Sequence, residues 1–87
     1  MRVLLIEDEE RIATLVRRGL RAEGIDVVHR EDGPAGILAF SRERFDAVIL
    51  DNLLPGPDGI AVLRELRERS AVAPVIMLSA RRDVATK

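Results

Sequence analysis

Three unbroken apolar runs are the feature that most limits how this chain can fold. They are VLLI (residues 3–6), AVIL (residues 47–50) and VIML (residues 75–78). A strand covered on one face alternates apolar and polar residues, whereas a strand of a parallel sheet is covered on both faces and is apolar throughout. The runs therefore predict buried strands of a parallel sheet, with IDVV (residues 25–28) as a weaker, more peripheral strand.

The segments between these runs show the spacing of amphipathic helices. Asp32, followed by Gly33 and Pro34, predicts an N-cap with proline in the first turn of a short helix, and Asp58 precedes the last helix in the same way. The order β-α-β-α-β-α-β with right-handed crossovers predicts a doubly wound open α/β sheet. Apolar residues recur every three or four positions in the first and last helices, at Ile12, Leu15, Val16 and Leu20 and at Ile60, Leu63 and Leu66.

The composition argues against several classes of function. The chain has no cysteine, which removes disulfides and thiolate metal sites. It has no apolar run of about 18 residues, so neither a membrane span nor a signal peptide is predicted, and we expect a cytoplasmic protein without a membrane partner. A net charge of −1 and only two aromatic residues, Phe40 and Phe45, argue against a nucleic-acid-binding surface. Both phenylalanines are predicted core residues.

The residues that follow the predicted strands carry the chemistry of the chain. In a doubly wound sheet, ligands bind beyond the carboxyl ends of the strands, where the strand order reverses. Glu7 and Asp8 follow the first strand, and Asp51 ends the third. Ser79 and Ala80 follow the fourth strand. The topology therefore predicts three carboxylates and one hydroxyl in a small volume.

Each of these acidic residues also has an ordinary structural explanation. Acidic residues at a helix start gain about 0.3–1 kcal/mol from the helix dipole, which accounts for Glu9 and Glu10 and is open for Glu7 and Asp8. An aspartate after a strand, such as Asp51, is often a turn residue. Together, however, two like charges about 4 Å apart repel by about 4 kcal/mol at an effective dielectric near 20. Three converging carboxylates therefore predict a cation, and hard oxygen ligands favour Mg²⁺ or Mn²⁺ over Zn²⁺.

Three motifs resemble one known family. VLLIEDE (residues 3–9), DAVILDNLLPGPDG (residues 46–59) and PVIMLSA (residues 74–80), in this order and spacing, resemble the receiver domain of bacterial two-component response regulators. The resemblance is greatest to the class that carries a winged-helix DNA-binding domain. It covers the whole chain and implies a single receiver domain over residues 1–87 with a flavodoxin-like parallel sheet.

The resemblance implies a role for each acidic residue. Asp51 is the phosphoacceptor, which receives a phosphoryl group from a sensor histidine kinase. Asp8 ligates Mg²⁺ directly, Glu7 acts largely through a bound water, and the main-chain carbonyl of Leu53 supplies a further oxygen. Such a domain is a phosphoacceptor and not an enzyme, beyond catalysing its own phosphorylation and dephosphorylation. Its partner for DNA is an output domain that lies outside this chain.

The fourth strand carries two more implied site residues. Ser79 fills the position of the hydroxyl that contacts the phosphoryl group and transmits the signal, and Ala80 is small enough to leave that group room. The sequence departs from the family at Asn52, where an apolar residue is usual, and in ending before a further helix, a fifth strand and a last helix. Lys87 follows Ser79 by only eight residues and cannot be the lysine of that fifth strand. Three carboxylates with Mg²⁺ carry a net charge of about −1, which that lysine would cancel. Without it, we expect weak or short-lived phosphorylation.

The early end of the chain also affects its surface. Only the first helix is placed to cover one sheet face, so VIML (residues 75–78) is expected to be an exposed edge strand. We therefore expect the chain to associate with itself or to swap elements.

Two other functional classes remain open from the residues alone. One is a pseudo-receiver that docks a partner without phosphate. The other is a Mg²⁺-dependent aspartyl phosphohydrolase of the haloacid-dehalogenase type, although such sites place a second aspartate two residues after the nucleophile, and that position here is Leu53. His29, the only histidine, is predicted to face solvent and not to act as a phosphodonor.

Overall fold

Strands and helices alternate along the chain as the hydrophobic pattern predicts. The structure, a computed structural model, describes residues 1–51, 59–70 and 72–78. Leu53, Asp58, Ser79 and Ala80 lie outside these residues. The elements are β1 (Arg2–Ile6), α1 (Glu10–Ala22), β2 (Asp26–Arg30), α2 (Gly33–Arg42), β3 (Ala47–Asp51), α3 (Gly59–Arg69) and β4 (Val75–Leu78).

The second strand lies later in the chain than predicted. It was expected over residues 25–28 and spans Asp26–Arg30. The N–H of Ile25 donates to the carbonyl of Leu20, which closes the end of α1, and Gly24 reverses the chain with a φ of 80°. Ile25 is therefore part of the helix ending, and the strand extends instead through His29 and Arg30.

The four strands form one parallel sheet in the order β2-β1-β3-β4. The chain leaves β1 for β2 on one side and then returns to β3 on the other side. The strand order thus reverses between β1 and β3, which is where a doubly wound sheet binds its ligand. This is the flavodoxin-like arrangement that the resemblance implied.

Apolar clusters on both faces of the sheet explain the unbroken apolar runs. Successive residues of a strand point to opposite faces, so a strand that is covered twice has no polar position. On one face α2 and α3 pack on the alternate residues of β1 and β3, and Phe40 and Phe45, which were predicted as core residues, are half-buried at the edge of this cluster. On the other face α1 packs on Leu5 and Val27 through Ala13, with Val16 and Leu20 partly buried beside it.

Leu15 does not join the core, although its spacing with Ile12 and Val16 predicts the apolar face of α1. Its side chain is 70% exposed. The helix contacts the sheet through Ala13, Val16 and Leu20, and Leu15 lies about 200° around the helix axis from Ala13. Periodicity therefore identified the helix but assigned one residue to the wrong face.

The second helix begins as the sequence predicts. Asp32 is its N-cap, and Oδ1 of Asp32 accepts a hydrogen bond of 2.8 Å from the N–H of Ala35. Pro34 lies in the first turn, where its missing N–H costs nothing. Within the described part of the chain, no helix is long and apolar enough to cross a bilayer.

The edge strand β4 is partly bare, as predicted. Ile76 lies level with Ile49 on the face that α1 covers, and its side chain is 58% exposed because α1 packs over β1 and β2. No other strand of the described residues pairs with the outer side of β4. An apolar, unpaired edge is a surface on which a second chain can add a strand.

We therefore predict that the 87-residue chain sediments as a dimer or larger species and that Ile76→Lys shifts it to monomer. A lysine on an edge strand opposes strand addition because its charge would be buried in the new interface. Analytical ultracentrifugation checks this, with Val72→Lys as the control, since Val72 is 88% exposed but lies outside the sheet. A monomeric parent chain, or an equal effect of both lysines, would contradict the prediction.

Candidate metal centre

Glu7 and Asp51 meet at the point where the strand order reverses. Ile6 and Leu50 are register partners in the β1–β3 pair, so the residues that follow them lie side by side. Glu7 is 0% and Asp51 2% exposed, whereas the neighbouring Asp8 is exposed. One carboxylate oxygen from each of the three lies within 4.8 Å of the others. The structure thus brings together the three carboxylates that the sequence predicts at this edge.

Local hydrogen bonds explain why Glu7 is turned into the protein. Its N–H donates to the carbonyl of Arg30 at 3.0 Å, which extends the β1–β2 ladder by one bond. Its Oε2 accepts a hydrogen bond of 2.9 Å from the N–H of Glu9, the residue that caps α1. The carboxylate therefore provides the acceptor for a backbone N–H in the turn between β1 and α1. Its second oxygen, Oε1, is buried and has no hydrogen-bond partner among the described residues.

Burial raises the pKa of Glu7 from its ordinary value of 4.5 to about 7. The negative charges of Asp51 and Asp8 act in the same direction, while the N–H of Glu9 acts against them. The site therefore holds more negative charge than it can stabilise alone. Near neutral pH it takes up a proton when no cation is present.

The donor set fits a hard divalent cation. Mg²⁺ prefers carboxylate and carbonyl oxygens and retains several waters, so it suits a site in which one side is open to solvent. Glu7 and Asp51 form the buried side of this site and Asp8 the open side. The buried Oε1 of Glu7 is an acceptor for which a cation or its bound water would be the partner.

His29 differs from its prediction as a solvent-facing residue. Its side chain is half-buried, and its ring Nε2 lies 2.8 Å from the main-chain carbonyl oxygen of Glu7. A carbonyl oxygen only accepts, so Nε2 carries the proton and donates. The position of His29 near the end of β2 was visible in the sequence. Its contact with β1 required the strand order and the register, which local patterns do not contain.

Ser79, Ala80 and Leu53 lie outside the described residues, as does Asn52. The roles that the resemblance implies for them remain predictions.

Comparison with known proteins agrees with the resemblance. The family model described as "Response regulator receiver domain" matches residues 3–87. The sensory transduction protein RegX3 of Mycobacterium tuberculosis is 47% identical over 79 residues, which are 91% of this chain and 34% of that protein. The chain thus spans about a third of the length of this curated relative.

Two solved structures are similar in fold as well as in sequence. The response regulator TrrA of Thermotoga maritima, in complex with Mg²⁺-BeF, superposes with a TM-score of 0.88 at 34% identity, over 92% of this chain and 70% of that one. A complex of the histidine kinase ThkA with TrrA matches with a TM-score of 0.87 at 31% identity, over 99% of this chain and 74% of the matched one. Because the family model matches nearly the whole sequence and the fold agrees, we conclude that this chain belongs to the receiver domains of two-component response regulators.

Proposed function

We propose that this chain accepts a phosphoryl group on Asp51 from a sensor histidine kinase, with Mg²⁺ or Mn²⁺ in the acidic site. The observation that carries the proposal is the cluster of Glu7, Asp8 and Asp51, in which oxygens of three carboxylates lie within 4.8 Å and two of the three residues are buried. Like charges this close are costly unless a cation joins them. The Mg²⁺-bound state of TrrA, a protein of the same family, supports this assignment.

In the proposed reaction, an oxygen of Asp51 attacks the phosphorus atom of a phosphohistidine. A bond forms between that oxygen and phosphorus, the phosphorus–nitrogen bond to the kinase breaks, and the imidazole keeps the electron pair. The product is an acyl phosphate on Asp51. Because Asp51 ends a central strand and is 2% exposed, the sheet holds the nucleophile in a fixed position.

The neighbouring residues hold the metal and the phosphoryl group. Asp8 and Asp51 would ligate the metal directly and Glu7 would do so through water, with the carbonyl of Leu53 as a further ligand by the family resemblance. When bound, Mg²⁺ neutralises charge on the phosphoryl oxygens. By the same resemblance, Ser79 contacts the phosphoryl group and transmits its presence, and Ala80 leaves it room.

The kinase is the proposed protein partner, which the ThkA–TrrA complex supports by analogy. We further propose that the phosphorylated receiver controls an output domain that binds DNA and regulates transcription. The receiver itself would make no contact with DNA. The resemblance to the winged-helix class supports this proposal.

Phosphorylation by a small-molecule donor tests the function without the kinase. With phosphoramidate and Mg²⁺, we expect intact-mass spectrometry to show one added phosphoryl group, which hydroxylamine removes because it is an acyl phosphate. With EDTA in place of Mg²⁺, we expect no labelling. Asp51→Asn should take no label. Asp26→Asn, which changes an exposed aspartate on the edge strand β2, is the matched control and should still be labelled.

Each alternative function gives a different result in the same assay. A phosphohydrolase turns over external phosphomonoesters, and a docking module takes no label. Labelling that persists without a divalent cation would contradict the proposed role of the acidic cluster.

A further inference from the structure

We propose that His29 is a positioning residue of the metal site, which holds the end of β1 through the carbonyl of Glu7. The inference rests on the proposed function, because it concerns the same site. The observation is the 2.8 Å hydrogen bond between Nε2 of His29 and the main-chain oxygen of Glu7, which joins the edge strand β2 to the segment directly after β1 that carries two of the three carboxylates.

The ring replaces a backbone hydrogen bond that the sheet does not supply. In a parallel ladder, a residue whose N–H donates to a neighbouring strand also accepts through its carbonyl from that same strand, two residues further along it. Glu7 donates its N–H to the carbonyl of Arg30, but β2 ends at Arg30 and the chain turns into the N-cap of α2. The carbonyl of Glu7 would then lack the next donor of the ladder. The ring N–H of His29 takes this place.

The orientation of this carbonyl sets the position of Asp8. The peptide unit is planar, so a hydrogen bond on the carbonyl of Glu7 also fixes the direction of the bond that leads to the Cα of Asp8. Asp8 is the exposed member of the cluster, whereas the other two carboxylates are held by burial. His29 therefore acts on the metal ligand that the surrounding protein restrains least.

His29 is itself held in place. It belongs to β2, in register with Leu5 of β1, and its carbonyl oxygen accepts a hydrogen bond of 2.8 Å from Nη1 of Arg30. Its side chain is half-buried against the sheet. The donor is therefore positioned before any metal binds, as a positioning residue requires.

Mg²⁺ titrations of the full 87-residue chain near pH 8, followed through the amide resonances of the folded protein, test the inference. In His29→Leu, which has no donor, we expect the dissociation constant for Mg²⁺ to rise about five-fold, the loss of one hydrogen bond. His29→Gln keeps an N–H donor at the same distance along the side chain and is expected to stay within about two-fold of the parent.

Val28→Ala is the control for stability, since Val28 lies on the same strand but packs against the opposite face of the sheet. It is expected to weaken folding and leave Mg²⁺ affinity unchanged. Nitrogen NMR of the parent chain supplies a readout that needs no variant. It identifies which ring nitrogen of His29 carries the proton, and a donor to the carbonyl of Glu7 requires the proton on Nε2 of the neutral ring.

The outcomes separate this inference from the proposed function. If the parent chain binds no Mg²⁺, the proposed function fails. If the parent binds Mg²⁺ but His29→Leu binds it equally well, or if the neutral ring carries its proton on Nδ1, the role of His29 is refuted and the metal site stands.

Discussion

Asp51→Asn is expected to abolish phosphoryl acceptance and at the same time to stabilise the metal-free protein. The amide has no carboxylate oxygen to form an acyl phosphate, so labelling by phosphoramidate falls to background. The substitution also removes one of three negative charges whose oxygens lie within 4.8 Å. We expect the free energy of unfolding near pH 8 without divalent cations to rise by about 1–2 kcal/mol, part of the roughly 4 kcal/mol that two charges at contact distance cost at an effective dielectric near 20.

Urea unfolding in EDTA measures this gain, and saturating Mg²⁺ should reverse the order of stability. A ligand at 100 times its dissociation constant stabilises the folded state by about 2.7 kcal/mol, and only the parent chain retains the complete site. Asp26→Asn serves as the control. It removes an exposed carboxylate that pairs with Arg2 at 3.4 Å, and should change stability by less than about 1 kcal/mol. A metal-free Asp51→Asn protein that is less stable than its parent would contradict the electrostatic explanation of the site.

The metal-free protein is expected to lose stability as the pH rises from about 4.5 to about 7. The pKa of Glu7 is raised from 4.5 to about 7 in the folded state, chiefly by burial, so the folded protein holds this proton more tightly than the unfolded chain does. The stabilising contribution is complete below pH 4.5 and is lost as the pH passes through the folded pKa. By linkage, this pKa shift corresponds to a loss of about 3 kcal/mol in the free energy of unfolding, a large share of the stability of a small domain.

Mg²⁺ should change this pH dependence, because metal binding requires the ionised carboxylate and releases the proton. Affinity for Mg²⁺ is therefore expected to rise as the pH passes through about 7 and to level above it. Urea unfolding from pH 4.5 to 8, with and without Mg²⁺, measures both effects. Glu7→Gln isolates them from the other titrating groups, since it should flatten the metal-free profile over this range. Identical profiles for the parent and Glu7→Gln would contradict the assignment.

The sheet and its acidic edge were predictable because each depends on a pattern that a few residues carry. A parallel strand must be apolar on both faces, so the unbroken apolar runs VLLI and AVIL predict buried strands. Once the strands are placed, topology requires that Glu7 and Asp51 follow adjacent strand ends.

Features that depend on relations between elements were not predictable in this way. Leu15 has the correct spacing for the core, but the side of α1 that packs is decided by how the helix lies on β1 and β2. His29 contacts Glu7 because β2 lies beside β1 in a particular register and ends at Arg30, one residue after His29. A pattern within one element contains neither the register nor the point where a neighbouring strand ends.

The most direct test of the proposed metal site is a Mg²⁺ titration of the ¹⁵N-labelled chain, followed through its amide resonances. We expect saturable shifts concentrated at Glu7, Asp8 and Asp51, with Asn52 and Leu53 beside them, and we expect Asp51→Asn to abolish them. Mn²⁺ should broaden the same resonances. Shifts that are absent, that are unchanged in Asp51→Asn, or that spread over exposed carboxylates such as Asp26 would contradict the claim that these three carboxylates form one cation site.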